Sequence, residues 1–178
     1  HTVQRGESLW LIARAYGTTV SALQEANGLW DTEIYAGEQL AIPGGTSPRT
    51  MAATTDAFSA SPQEVDLLAR MIHAEAEGEP YIGKVAVGAV ILNRVRDPRF
   101  PNTISGVLFA PWEFEPVMNN RFWQITPSAE AYSAARDALA GWDPTGGALF
   151  FYNPVKSTSP WIFTRTVINQ IGQHLFAI

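Results

Sequence analysis

The sequence predicts an α+β protein in two parts: a small strand–helix–helix–strand unit, then a larger, mainly helical unit with an appended β-hairpin. Three observations carry this. Residues 1–43 hold a complete short pattern of two amphipathic helices between two strand candidates. Residues 61–95 hold two long helical patterns, the second apolar nearly all round. Near the C-terminus, residues 148–152 read as a buried strand, and residues 162–178 as further short strand and turn.

In the first unit, Thr2, Val3 and Gln4 form the first strand candidate, followed by a turn over residues 5–8. Leu9, Ile12, Ala13 and Tyr16 give a short helix ending at Gly17, and Thr19 caps a second helix with the apolar face Val20, Leu23 and Ala26. Asn27 and Gly28 end it, and the last strand candidate is 39–43. Residues 44–60 are small, polar and unpatterned, the composition of a linker.

The second unit, residues 61–178, opens with a well-marked helix. Ser61 caps it, Pro62 suits its first turn, and Glu64 completes a capping box. Val65, Leu68, Ala69, Ile72 and Ala76 form its apolar stripe, and Gly78 is expected to stop it in the left-handed conformation. Pro80 opens the next helix, apolar through residues 85–92, which places it at the centre of the core; Asp97 and Pro98 end it. Thr126 or Ser128 caps a helix over 129–139, stopped by Gly141, and residues 143–147 form a turn.

The stretch 72–80 concentrates the chemistry, with Glu75, Glu77 and Glu79 within five residues. At helical spacing Glu77 shares the polar face with Asp66, Arg70 and His73, whereas Glu75 lies beside Leu68 and Ile72 at the edge of the apolar stripe. A carboxylate there is costly unless protonated or paired, so Glu75 is the one that needs a reason. Glu79 reads as a carboxylate at the N-terminus of the next helix, and Glu77 as a solvated charge.

Composition bounds the rest. The chain has 178 residues, 46% hydrophobic and 16% charged, with net charge −5, which suits one medium core plus a small module. Mild acidity disfavours nucleic acid as a partner. No apolar run is long enough to span a membrane, and the absence of cysteine rules out disulfides and thiolate sites. The first residue is His rather than Met, as in a mature or trimmed chain. Few charges and six tryptophans point to a neutral polar ligand such as sugar.

Thr2, Val3, Gly6, Glu7, Ser8, Leu9, Trp10, Ile12 and Ala13, then Thr19, Val20, Leu23, Asn27, Gly28 and Leu29, then Ile34, Tyr35, Gly37, Leu40, Ile42 and Pro43 resemble a LysM module over the whole unit. The resemblance implies binding of N-acetylglucosamine-containing glycan between two loops. One loop holds Gly6, Glu7, Ser8 and Leu9; the other holds Asn27, Gly28, Leu29 and Trp30, with Ile34 nearby. Leu9 and Trp10 read as helix core on pattern alone; Trp30, in a loop, is expected to be exposed.

The second unit resembles the SleB/CwlJ cell-wall hydrolases, the spore cortex-lytic enzymes, over residues 64–178. The residues that carry this begin with Ala69, Arg70, Ile72, Glu75, Ala76, Gly78, Glu79 and Pro80, followed by 84–95 and 100–104. Residues 142–148 and 152–154, with Ile171, Gly172, His174 and Phe176, complete it. The resemblance implies a lysozyme-like fold and a lytic transglycosylase acting on peptidoglycan, without cofactor or metal, secreted to the cell wall or spore envelope and active in wall lysis or germination. It implies Glu75 as the essential acid. Ala74, Glu77, Glu113 and Glu115 depart from the family pattern, and the added negative charge is expected to alter subsite preference or raise carboxylate pKa values.

A glutamate on an apolar edge suits a general acid. Hydrolysis would call for a second carboxylate about 5–5.5 Å or about 6.5–9.5 Å away; a transglycosylase needs one, because the muramic acid C6 hydroxyl is the nucleophile. Tyr152, Asn153, Thr158 and Ser159 are candidates to orient the sugar or polarise the glutamate; turn chemistry is the alternative, and for Asn153 before Pro154 it explains the residue equally well. Phe114 and Trp161 are sugar platforms or core, and His174 reads as a satisfied structural histidine. The alternatives are a catalytically inactive glycan binder, a muramidase, or a zinc amidase, for which His1, His73 and His174 offer no plausible ligand set.

Overall fold

The computed structural model describes residues 1–4, 7–30, 32, 34–44, 58–111 and 114–178, with the side chains of Glu115 and Met118 excepted. The chain forms two compact units, residues 1–56 and 57–178.

In the first unit, α1 (Leu9–Tyr16) and α2 (Val20–Asn27) begin where hydroxyl side chains can take up free N–H groups. Ser8 accepts from Leu11 N and Thr19 from Ala22 N. Both helices end at glycines in the left-handed conformation, Gly17 and Gly28. Val3, Leu9, Ile12, Ala13, Leu23 and Leu40 make the core, with Leu29 and Ile34 packed against it. The two expected strands shrink to one antiparallel bridge, Thr2 with Gln39. Beyond it, Asn27 occupies the backbone: its Oδ1 accepts from Ala41 N at 2.7 Å and its Nδ2 donates to Ala41 O at 2.9 Å.

Helices α3 (Pro62–Ala76), α4 (Tyr81–Arg96) and α8 (Ala129–Leu139) pack on one another and form the main core of the second unit. The capping box at Ser61 and Glu64 is present, and Ser128 caps α8. Helix α4 is buried on all sides, Lys84 and Arg94 included. The short helices α5 (Ile104–Leu108), α6 (Glu115–Met118) and α7 (Arg121–Gln124) follow it. Most of the expected 44–60 linker lies outside the described residues. Its end belongs to this unit: Phe58 N donates to Leu139 O at 2.8 Å, and the Arg96 guanidinium covers the Phe58 ring.

Strands β1 (Phe150–Tyr152), β2 (Val167–Ile171) and β3 (His174–Ala177) form an antiparallel sheet in the order β1–β3–β2, with Phe151 opposite Phe176. Two neighbours on α4 attach the approach to this sheet. Asn93 Nδ2 donates to Asp143 Oδ2 and Ala148 O, and Arg94 Nε donates to Leu149 O at 2.6 Å. The Arg94 guanidinium also lies over Phe100, Phe114 and Phe150, about 5 Å from each ring centre.

The end of α3 differs from expectation. Gly78 is not in the left-handed region; Glu77 caps the helix in a right-handed helical conformation, and a bond from Glu79 N to Ala76 O turns the chain into α4. Pro80 is the N-cap of α4 and no side chain makes a capping hydrogen bond there; Glu79 stands directly before it.

Candidate active site

The turn from α3 into α4, the region of α6 and α7, and the β1 and β3 ends of the sheet enclose a cleft of about 480 Å³. Glu75, on the last turn of α3, is partly buried and lines it. Helix α3 sets that position, because its apolar stripe is locked into the core through Leu68, Ile72 and Ala76, none more than 1% exposed. The polar side of α3 is paired separately. Arg70 Nε meets Asp66 Oδ2 at 2.7 Å, and His73 Nε2 lies 3.8 Å from Glu77 Oε1. The hydrogen bonds that Asp66 accepts, from Tyr132 first and then Arg70, hold its pKa below the usual carboxylate range.

Tyr152 and Asn153 line the same cleft, at the end of β1. Asn153 Oδ1 accepts from the N–H groups of Val155 and Lys156, so the turn use expected of it is real, while its Nδ2 reaches Gln173 Oε1 at 3.3 Å. Four other expected contacts are not part of the cleft wall. Phe114 is 4% exposed and packs in the core under Arg94, which leaves its ring no face for a sugar. Thr158 and Ser159 are exposed beyond Ser157, and Trp161 stands edge-on to Phe150 with Arg165 over its ring. Glu113 and the side chain of Glu115 lie outside the described residues.

Several cleft residues carried no signal in the sequence pattern, Asn119 and Arg121 on one side and Lys156, Ser157 and Gln173 on the other; His174 and Glu79, read there as structural, also line it. The glycine at 172 between two strand-like segments was the available clue to a hairpin that brings Gln173 and His174 in. His174 is 7% exposed, and its Nδ1 is sealed from solvent, 3.7 Å from Glu79 Oε1, with no hydrogen-bond partner among the described residues. It is therefore not the satisfied histidine expected. Burial pushes its pKa down; the Glu79 carboxylate pulls against that shift and Lys156 adds to it.

The first unit presents its candidate glycan contacts unevenly. Trp30 is 99% exposed. Leu9 is 1% exposed, Ser8 spends its hydroxyl on the α1 cap, and Asn27 staples Ala41, so at these three positions structural duties occupy the side chain. Glu7 Oε2 accepts from Gln4 N and meets His1 Nε2, both at 2.7 Å. Leu29 and Ile34 are partly buried, and Gly6 lies outside the described residues. Among the described residues no group of His, Asp and Glu is arranged to hold a metal ion.

Residues 1–43 match the LysM domain family and residues 78–177 match the family described as Cell Wall Hydrolase. A spore cortex-lytic enzyme of Bacillus cereus is 49% identical over 116 residues, covering 65% of this chain and 44% of that protein. The cell wall hydrolase CwlJ of Bacillus subtilis is 31% identical over 124 residues, 66% of this chain and 86% of its own. The solved catalytic domain of the germination-specific lytic transglycosylase SleB from Bacillus anthracis superposes with TM-score 0.64 at 47% identity, covering 67% of this chain and 98% of that one. The chain thus spans less than half the length of the cortex-lytic relatives it matches first. With a buried α4, a Glu75-lined cleft and a LysM domain ahead of them, this chain belongs to the Cell Wall Hydrolase family.

Proposed function

We propose that the second unit is a peptidoglycan lytic transglycosylase that cleaves the bond between N-acetylmuramic acid and N-acetylglucosamine, with Glu75 as its one acid and base. The observation that supports this reading is the place of Glu75: it lines the cleft from the last turn of α3, a helix fixed in the core through Leu68, Ile72 and Ala76. A single acid and base fits a reaction whose nucleophile belongs to the substrate.

In that reaction Glu75 delivers its proton to the glycosidic oxygen as the bond from muramic C1 breaks. The C6 hydroxyl of the same sugar then attacks C1, and its proton passes to the Glu75 carboxylate, which regenerates the acid. No water is consumed, and the product ends in a 1,6-anhydro ring. Tyr152 and Asn153 offer hydroxyl and amide groups to orient the sugar. The LysM unit acts as a tether that raises the local concentration of glycan strands. Action on the cell wall or spore envelope accords with this; no helix among the described residues is long and apolar enough to cross a membrane.

Digestion of purified sacculi followed by mass analysis tests the reading. Anhydro-muramyl ends are the expected product; reducing ends would mean hydrolysis, and free stem peptides an amidase. Glu75→Gln should fold normally by circular dichroism and lose about 10²–10⁴ of the rate, the worth of general acid–base catalysis. Retention of more than about a tenth of the wild-type rate would remove Glu75 from the role.

A further inference from the structure

We infer that Glu79 is a positioning residue: its carboxylate clamps the β2–β3 turn to the start of α4, and so sets the cleft wall that faces the acid at Glu75. The inference rests on the transglycosylase reading for its activity assay, but the contacts stand independently. Glu79 is 8% exposed, which is rare for a glutamate without a specific partner. Its Oε2 accepts from Gln173 N at 2.9 Å, a bond between residues 94 apart in sequence. Its Oε1 stands 3.7 Å from His174 Nδ1, a buried nitrogen with no hydrogen-bond partner among the described residues. Its backbone carbonyl accepts from Lys84 Nζ at 2.7 Å, and the same ammonium meets Glu130 Oε2 at 2.9 Å, which ties the clamp to α4 and α8.

The surroundings are shaped around this carboxylate. At Gly172, with φ of +57°, an added Cβ would lie 1.9 Å from Glu79 Oε2 and 2.9 Å from Pro80 Cδ. On the other side, a Cβ at Gly83 would approach Glu79 Cβ to 3.1 Å. The turn can therefore close over Glu79 only because residue 172 has no side chain. Since Gln173 and His174 themselves line the cleft, whatever holds the turn also sets the distance across it.

Reach, rather than charge, is what a clamp requires, and two conservative variants separate the two. Glu79→Gln keeps the length and an oxygen acceptor; its amide N–H can also donate to His174 Nδ1. Glu79→Asp keeps the charge but withdraws the carboxylate by about 1.5 Å, one carbon–carbon bond. Displacement of that order at a catalytic wall costs about tenfold to a hundredfold in rate. The expected result on soluble glycan fragments is Glu79→Gln within about threefold of wild type and Glu79→Asp down tenfold or more. Gly172→Ala, which disturbs the clamp from the hairpin side, should resemble Glu79→Asp. Hydrogen exchange of the Gln173 amide supplies a readout independent of catalysis: protection should persist in Glu79→Gln and fall in the other two. Wild-type rates in Glu79→Asp, or a loss in Glu79→Gln equal to that in Glu79→Asp while Gln173 stays protected, would overturn the inference. If the wild-type chain released no glycan products, the transglycosylase reading would fall, and the amide exchange would still decide whether residue 79 holds the turn.

Discussion

Gly88 sits in the middle of α4 at the point where α3 and α8 both press on it, and Gly88→Ala sets two known effects against each other. Alanine is the better helix former by about 1 kcal/mol, so in an exposed helix the change would stabilise. Here the new Cβ would stand 3.0 Å from Ile72 Cδ1 and 3.1 Å from Ala138 Cβ. The Ile72 methyl can swing aside, but Ala138 has no torsion to relieve the contact and α8 itself must move. Overpacking of this kind costs about 1–3 kcal/mol, so the net expectation is a loss of about 0–2 kcal/mol. For a domain of this size that lowers the melting temperature by up to roughly 10 °C. Gly88→Val adds two further methyls and lacks the alanine helix gain, so it should lose more. Ile72 precedes Glu75 by less than one helical turn, so the same variants report how firmly the acid is held: cleavage should fall with the shift of α3. Calorimetry of the full chain, reading the transition of the second unit, checks the order wild type, Ala, Val. A melting temperature raised in Gly88→Ala by the full helix-forming gain would show that the three-helix contact is slack and refute the argument.

Other expectations follow from single contacts. Asp143 accepts from Thr145 N, Thr145 Oγ1, Gly147 N and Asn93 Nδ2, at 2.6–2.9 Å, so Asp143→Ala should cost about 2–4 kcal/mol in urea unfolding. The depressed pKa of His174 means that the unfolded chain takes up that proton first as pH falls below about 6.5. This contribution to stability is therefore intact at higher pH and lost in acid, and His174→Asn should show a shallower fall in melting temperature between pH 7 and 5. Trp30, 99% exposed, should change stability by no more than about 0.5 kcal/mol on replacement by alanine. Trp30→Ala should nonetheless weaken retention on insoluble sacculi; unchanged retention would remove that indole from the glycan surface.

What the amino-acid sequence determined by itself was mostly local. Thr19, Ser61 with Glu64, and Ser128 (one of two candidates for its helix) each take up N–H groups within four residues, so the starts of these helices were legible; the Ser8 cap, in what read as a turn, was not. The unbroken apolar run of α4 could be satisfied only at the centre of a core, and there it lies. Glu75 stood out because helical spacing places a carboxylate beside Leu68 and Ile72, a conflict visible in one dimension. The tertiary structure decided the rest, because it depended on residues far apart in the chain. Glu79 read from its position only as a helix-terminal charge; its bond from the Gln173 N–H, 94 residues on, depends on the hairpin. Phe114 had the composition of a sugar platform, but Arg94 and the core cover its faces. The strand candidate over 39–43 holds a single bridge, Thr2 with Gln39, and beyond it Ala41 pairs with the Asn27 side chain. In each case the deciding partner was a specific polar or aromatic group from another element, and periodicity, which reports only which face of an element is apolar, carries no record of it.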